Sequence, residues 1–207
     1  QLLDRELNSE DQREYTRVII DEADRLRSLV DRMLGPNKAL KLAPTNIHEI
    51  LERVGTLLEA ESKGRLNFER DYDPSIPEFK GDKEQLIQAF LNIARNAMEA
   101  AFENQASHSS DEPPTITFRT RTLRQFTIGN RRHRLVCRVD VIDNGPGIPP
   151  ELVQNIFYPM ISGRASGTGL GLSITQSIIG QHRGLVECES EPGRTDFIIF
   201  LPLEDTP

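Results

Sequence analysis

The chain of 207 residues has no tryptophan, two cysteines and only 6% aromatic residues. Two cysteines supply neither a disulfide framework nor a zinc ligand set. Cys137 and Cys188 each fall in β-like apolar alternation, which predicts buried thiols in a reducing compartment. A basic excess is missing as well: 25 Lys and Arg against 32 Asp and Glu leave a formal net charge of −7. That balance argues against a dedicated nucleic-acid binder, whose phosphate contacts need cations. No apolar run approaches the roughly 20 residues that a membrane helix needs, and no signal-peptide pattern opens the chain. No membrane span is expected, and the location expected is cytoplasmic. G-x-x-x-x-G-K-[ST] occurs nowhere, which excludes a P-loop, and the protein-kinase set with D-F-G is missing too.

What is present, 37% hydrophobic and 28% charged residues, suits a globular protein. The chain opens at Gln1 inside a helical pattern, so it is expected to be a piece of something longer. Ser9 with Gln12 forms a capping-box signature. Val18, Ile19, Leu26, Leu29, Val30 and Met33 follow at helical spacing until Gly35-Pro36 stops them. One narrow apolar stripe on a charged helix needs a partner helix or a second chain. Lys38–Pro44 is expected to be a linker, which separates residues 1–40 from a second domain over 41–207.

In that second domain Asn46 and Glu49 cap a helix bearing Ile47, Ile50, Leu51, Val54, Leu57 and Leu58. Residues 66–72 alternate as a strand. Asp82 caps a long helix to about Glu103, and 104–114 form a loop. Strands near 115–126 and 133–142 make a long hairpin around Gly129-Asn130. A helix near 150–156, a Gly-rich stretch at 163–171, a helix to about His182 and strands at 185–190 and 195–201 complete the chain. Helices mixed with mainly antiparallel strands predict an α+β fold, a helix layer on a mainly antiparallel sheet, preceded by part of a helical hairpin.

Three segments carry chemistry. On the helix from Asp82, Leu86, Ile87, Phe90, Leu91, Ile93, Ala94, Ala97, Met98 and Ala101 share one face, and Asn92, Asn96, Glu99 and Glu103 cluster opposite. Two asparagines one turn apart offer neutral oxygens to Mg²⁺; an exposed polar face would look the same. Asp143-Asn-Gly145-Pro-Gly147-Ile148 directly follows a strand. A carboxylate held there can accept a hydrogen bond from an exocyclic amine, and the glycines admit a flat ring; a tight turn is the plainer alternative. Gly163-Arg164-Ala-Ser-Gly167-Thr168-Gly169-Leu170-Gly171 opens a helix, where backbone N–H groups and partial positive charge favour phosphates.

In this order the segments resemble the N, G1 and G2 boxes of the catalytic domain of sensor histidine kinases, in the superfamily shared with gyrase, Hsp90 and MutL. Phe157-Tyr158-Pro159 resembles a degenerate F box, and Gly193-Arg-Thr195-Asp-Phe197 the final strand. The resemblance covers about residues 45–203 and implies an ATP site. Asn92, Asn96, Asp143, Gly145, Gly147, Ile148, Arg164, Gly167, Thr168, Gly169, Leu170, Gly171 and Thr195 would bind ATP. Of these, Asn96 would ligate Mg²⁺, Asp143 would read the adenine amino group, and Thr195 would support that contact through water. Gly167–Gly171 would hold phosphates beneath a lid over roughly 158–168. Arg164 fits either phosphate neutralisation or a solvated loop cation, and Arg95 is equally ambiguous. Hydrolytic members place a water-activating Glu where this chain has Asn92, which cannot act as a general base. Transfer to a protein is therefore expected rather than hydrolysis.

The first forty residues resemble the second half of the family's dimerisation hairpin, whose acceptor histidine would lie upstream of Gln1. His48-Glu49 is a poor substitute: it follows the hairpin, lacks the downstream Pro, and Glu49 serves as a cap. Residues 15–34, 70–77 and 158–164 resemble the nitrogen-regulation branch of the family. That branch implies a homodimer joined through the hairpin, an NtrC-like response regulator and a PII-like signal protein as partners.

Overall fold

In the computed structural model, residues 40–108, 112–161 and 169–204 are described. The chain divides into two units between Asn37 and Lys38, and the helices expected before residue 36 lie outside the described residues. Short polar side chains fix where the main helices start. Asn46 Oδ1 accepts the His48 N–H at 2.9 Å and begins α1 (Ile47–Ser62). Glu49 does not complete a capping box as expected; its carboxylate takes the Lys83 ammonium at 2.6 Å instead. Lys63, at φ 54°, ends the helix. Asp82 Oδ1 accepts the Gln85 N–H at 3.2 Å and begins α2 (Lys83–His108).

Two departures from the expected elements have local causes. The supposed linker, Lys38–Pro44, runs into β1 (Ala43–Thr45), which pairs antiparallel with β3 (Phe79–Gly81). Three-residue strands carry too little periodicity to be seen. α2 runs on through residues expected to be loop, because no Gly or Pro interrupts it and Asn104 Nδ2 donates to the Asn144 carbonyl at 2.7 Å. Further along, the helix expected at 150–156 shrinks to α3 (Pro150–Val153) and gives way to turns. α4 spans Gly171–Gln181.

The main sheet has the order β2-β4-β5-β7-β6, built from β2 (Asn67–Asp71), β4 (Thr115–Ile128), β5 (Arg131–Asp143), β7 (Arg194–Pro202) and β6 (Leu185–Glu191). β2 runs parallel to β4, and every other pairing is antiparallel. α2 contacts α1, α4, β4 and β5. Its apolar arc lies in the core: Leu86, Phe90, Ile93, Ala94 and Ala97 have no exposure at all. Ile116, Phe118, Val139, Val141 and Ile199 face them from the sheet by strand alternation and are equally inaccessible.

β7 is buried on both faces. Gln125, at φ 55°, bends the β4–β5 hairpin, and Phe126 stacks on Phe200 with ring centroids 4.6 Å apart. Ile128, Val136, Ile198 and Phe200 make a second apolar cluster there. This explains why Phe197–Leu201 is a continuous apolar run and does not alternate. Cys137 is buried as expected, whereas Cys188 is only half-buried; burial pushes both thiols up to about 12.

Candidate functional site

β5 ends at Asp143, in register with Thr195 of β7. The Asp143 side chain is 2% exposed, and its Oδ1 accepts the Gly145 N–H at 2.8 Å. Two glycines set the following turn. A Cβ on Gly145 would lie 2.7 Å from the Ala100 Cβ, so only glycine lets the turn press against α2. Gly147 sits at φ +86°, and a Cβ there would come within 2.5 Å of the Glu191 carbonyl oxygen. Asn144 anchors the turn by accepting the Thr115 N–H at 2.9 Å. The Ile148 N–H donates to Ser190 Oγ at 2.8 Å, and Ser190 Oγ lies 3.0 Å from Thr195 Oγ1. Ser190 thus ties the turn to Thr195. No motif in the sequence marks Ser190, although it occupies the β6 position paired with Thr195.

The other end of the site is the start of α4. Leu170 at its N-cap provides no side-chain hydrogen bond to the N–H groups of the first turn. The Gly171 carbonyl accepts Asn92 Nδ2 at 3.2 Å and Thr175 Oγ1 at 3.0 Å, which joins α4 to α2. The Gly169 carbonyl accepts the Met160 N–H at 3.0 Å.

Between these ends lies a cavity of about 570 Å³, within the size range of small-molecule sites. Asn92, Asn96, Asp143, Gly147, Ile148, Gly169, Gly171 and Thr195 all line it, as does Arg95. Of the remaining expected residues, Gly145 supports the turn from behind, and Leu170 is buried and does not line the cavity. Arg164, Gly167, Thr168 and most of the expected lid lie outside the described residues. Apolar walls from Leu152, Ile156, Ile161 and Phe197, missed in the sequence, suit a flat ring. Phe157 of the degenerate F box meets Phe197 edge-on, with centroids 6.5 Å apart.

The site fits Mg²⁺ as a shared ion rather than a caged one. Among the described residues, no three His, Cys, Asp or Glu side chains converge on a metal-sized position. A neutral amide oxygen from Asn96 would leave the ion's charge for phosphate oxygens, the way Mg²⁺ is usually held.

His48 is occupied elsewhere. Its Nε2 lies 3.1 Å from Thr120 Oγ1, its ring stacks on Tyr72 at 4.9 Å, and burial holds its pKa below the ordinary value. His133 is 4% exposed within β5. His108 closes α2 rather than lying in a loop.

A helix layer over a mainly antiparallel sheet, with a buried carboxylate and a helix N-terminus at opposite ends of one cleft, defines an ATPase-type nucleotide-binding domain. The chain belongs to the histidine kinase-, DNA gyrase B- and HSP90-like ATPase family, whose model matches residues 81–205. It is 51% identical to the sensory histidine kinase/phosphatase NtrB of Vibrio alginolyticus, over 98% of this chain and 56% of that one. The chain spans about half the length of the curated relatives it matches. The catalytic domain of the histidine kinase ThkA superposes with a TM-score of 0.63 at 27% identity, covering 79% of this chain and 96% of that one. ThkA in complex with the response regulator TrrA gives 0.65 at 25% identity, covering 98% and 55%. No described helix is long and apolar enough to cross a membrane.

Proposed function

We propose that this chain is the ATP-binding catalytic part of an NtrB-type sensor histidine kinase. It transfers the γ-phosphoryl group of Mg-ATP to a histidine on a helical hairpin, for relay to a response regulator. The observation that carries this reading is the single cleft joining Asp143 to Gly169–Gly171 past Asn92 and Asn96. Asp143 accepts the adenine amino group, and Thr195 and Ser190 hold the water beside it. Asn96 offers its amide oxygen to Mg²⁺, while the start of α4 receives the phosphates. Mg²⁺ supplies charge neutralisation of the phosphates, and the chain's own part is positioning.

Asn92 separates transfer from hydrolysis. Its amide already donates to the Gly171 carbonyl, and an amide cannot take a proton from water. The acceptor nitrogen therefore comes from the hairpin, in the arrangement expected of residues 1–40 and the sequence before them. A homodimer through that hairpin, a NtrC-like response regulator and a PII-like protein are the partners of this reading, in the cytoplasm. The relatives' names pair kinase with phosphatase, which favours one second reading: the same domain also steers dephosphorylation of the regulator.

The test supplies the chain with Mg-ATP and a separate hairpin bearing the acceptor histidine. Acid-labile phosphate on the hairpin is expected, with none on the chain itself. Label on the chain that disappears in His48→Gln would overturn the assignment of the acceptor. Free phosphate without transfer would favour an ATPase.

A further inference from the structure

Beyond the expected ATP contacts, the rim of the cleft holds a charge arrangement that none of them uses. Among the described residues lining the cavity, Arg95 is the one cation, whereas Glu99, Glu103 and Asp143 are acids. A polyphosphate entering so acidic a cleft needs positive charge beside it. Arg95 is committed elsewhere: its Nε donates to Glu61 Oε2 at 3.0 Å, and a second guanidinium nitrogen bonds Glu61 Oε1. Glu61 lies in the last turn of α1, so this two-pronged pair ties α1 to α2 at the mouth of the cleft.

α2 acts as a ruler for where that cation stands. Asn92 touches the start of α4 through Gly171, and Ala100 abuts Gly145 beside Asp143. Eight residues separate these levels, about 12 Å along the axis. Arg95 is three residues from Asn92, about 4.5 Å, and so belongs to the α4 end. Its side chain is 47% exposed and that of Glu61 is 36% exposed. A pair so open to water is weak and can be exchanged for a stronger anion. A phosphate offers the guanidinium fork the same two-pronged geometry with more charge.

We propose that Arg95 is the phosphate-side cation of the site and that Glu61 competes for it, an ion-pair latch that the nucleotide's phosphates exchange on binding. This rests on the ATP reading above. Exchange removes this one ionic tie between the last turn of α1 and α2.

Calorimetric titration of Mg-ATP and of adenosine into the chain tests it, using Arg95→Met, Arg95→Lys, Glu61→Gln and the Arg95→Met/Glu61→Gln double variant. Both positions are exposed, and thermal melts confirm that each variant folds. Arg95→Met should weaken ATP about tenfold to a hundredfold and leave adenosine unchanged. Arg95→Lys should recover part of the loss. Glu61→Gln should tighten ATP about two- to fivefold, and do nothing in the Arg95→Met background. Equal loss of adenosine and ATP in Arg95→Met, or weaker ATP binding in Glu61→Gln, would overturn the latch. If the unaltered chain bound neither adenosine nor ATP, the nucleotide reading itself would fall, and the latch with it.

Discussion

In the proposed site Asp143 and Asn96 would act by different physics and should fail differently when altered. Asp143 is buried with one oxygen on the Gly145 N–H, so in the proposed role it would serve a purine as a charged acceptor in a desolvated site. Asp143→Asn keeps the shape and loses the charge, and ATP affinity should drop by about 1.5–3 kcal/mol by calorimetry. Unchanged binding, or GTP bound as well as ATP by the unaltered chain, would reduce Asp143 to a turn residue. Asn96 is half-buried on the cleft side of α2. Asn96→Ala should abolish the Mg²⁺ dependence of ATP binding while leaving Mg²⁺-free binding near its original level. Persisting Mg²⁺ dependence would reject the ligand role. These residues were legible because helical spacing and the end of a strand are sequence properties. Ser190 and the Arg95–Glu61 pair were not, since both depend on elements distant in sequence coming together.

At the scale of elements, α4 and α2 are joined by a histidine that no motif marks. The Asp82 N–H donates to His182 Nε2 at 2.9 Å, and His182 Nδ1 donates to the Ile178 carbonyl at 2.8 Å. An N–H can only donate, so the ring is neutral with its proton on Nδ1. Burial pushes His182 below its ordinary 6.5, against the opposing pull of the Ile178 carbonyl and Asp82. Burial would raise the Asp82 carboxyl, yet the N–H groups of Lys41 and Gln85 hold it below the usual range. Because the folded pKa of His182 is depressed, the unfolded chain binds more protons in the window just below 6.5. Its contribution is complete above that window and is lost as pH falls into it. Urea melts should therefore show stability falling from about pH 7.5 to about 5.5. His182→Gln should cost about 0.5–1.5 kcal/mol at the upper pH and flatten the slope. An unaltered slope would assign the pH effect to His48, which shifts in the same direction, or to carboxylates. The sequence showed His182 only as a helix end, and the lengthening of α2 past Glu103 was equally hidden, because its support comes from Asn144.

For the whole molecule, the order of α+β elements was readable, as was the antiparallel character of the sheet. The parallel β2–β4 pairing and the hairpin bent over β7 were not, because Gln125 at φ 55° is unmarked in the sequence. Burial in the sheet has a chemical consequence for the thiols. Cys137 has no exposure and Cys188 is half-buried, with both pushed up to about 12. Neither should be alkylated by iodoacetamide at neutral pH until urea opens the fold. Rapid labelling of native Cys137 would contradict the packing described. The central claim is that one cleft reads adenine at Asp143 and holds phosphates at the start of α4, and a crystal structure with Mg²⁺ and a non-hydrolysable ATP analogue tests it most directly. The expected result is the purine amino group within hydrogen-bond distance of the Asp143 carboxylate, Mg²⁺ on the Asn96 amide oxygen, and Arg95 turned from Glu61 to a phosphate. A nucleotide bound with its base away from Asp143, or a metal held without Asn96, would contradict it.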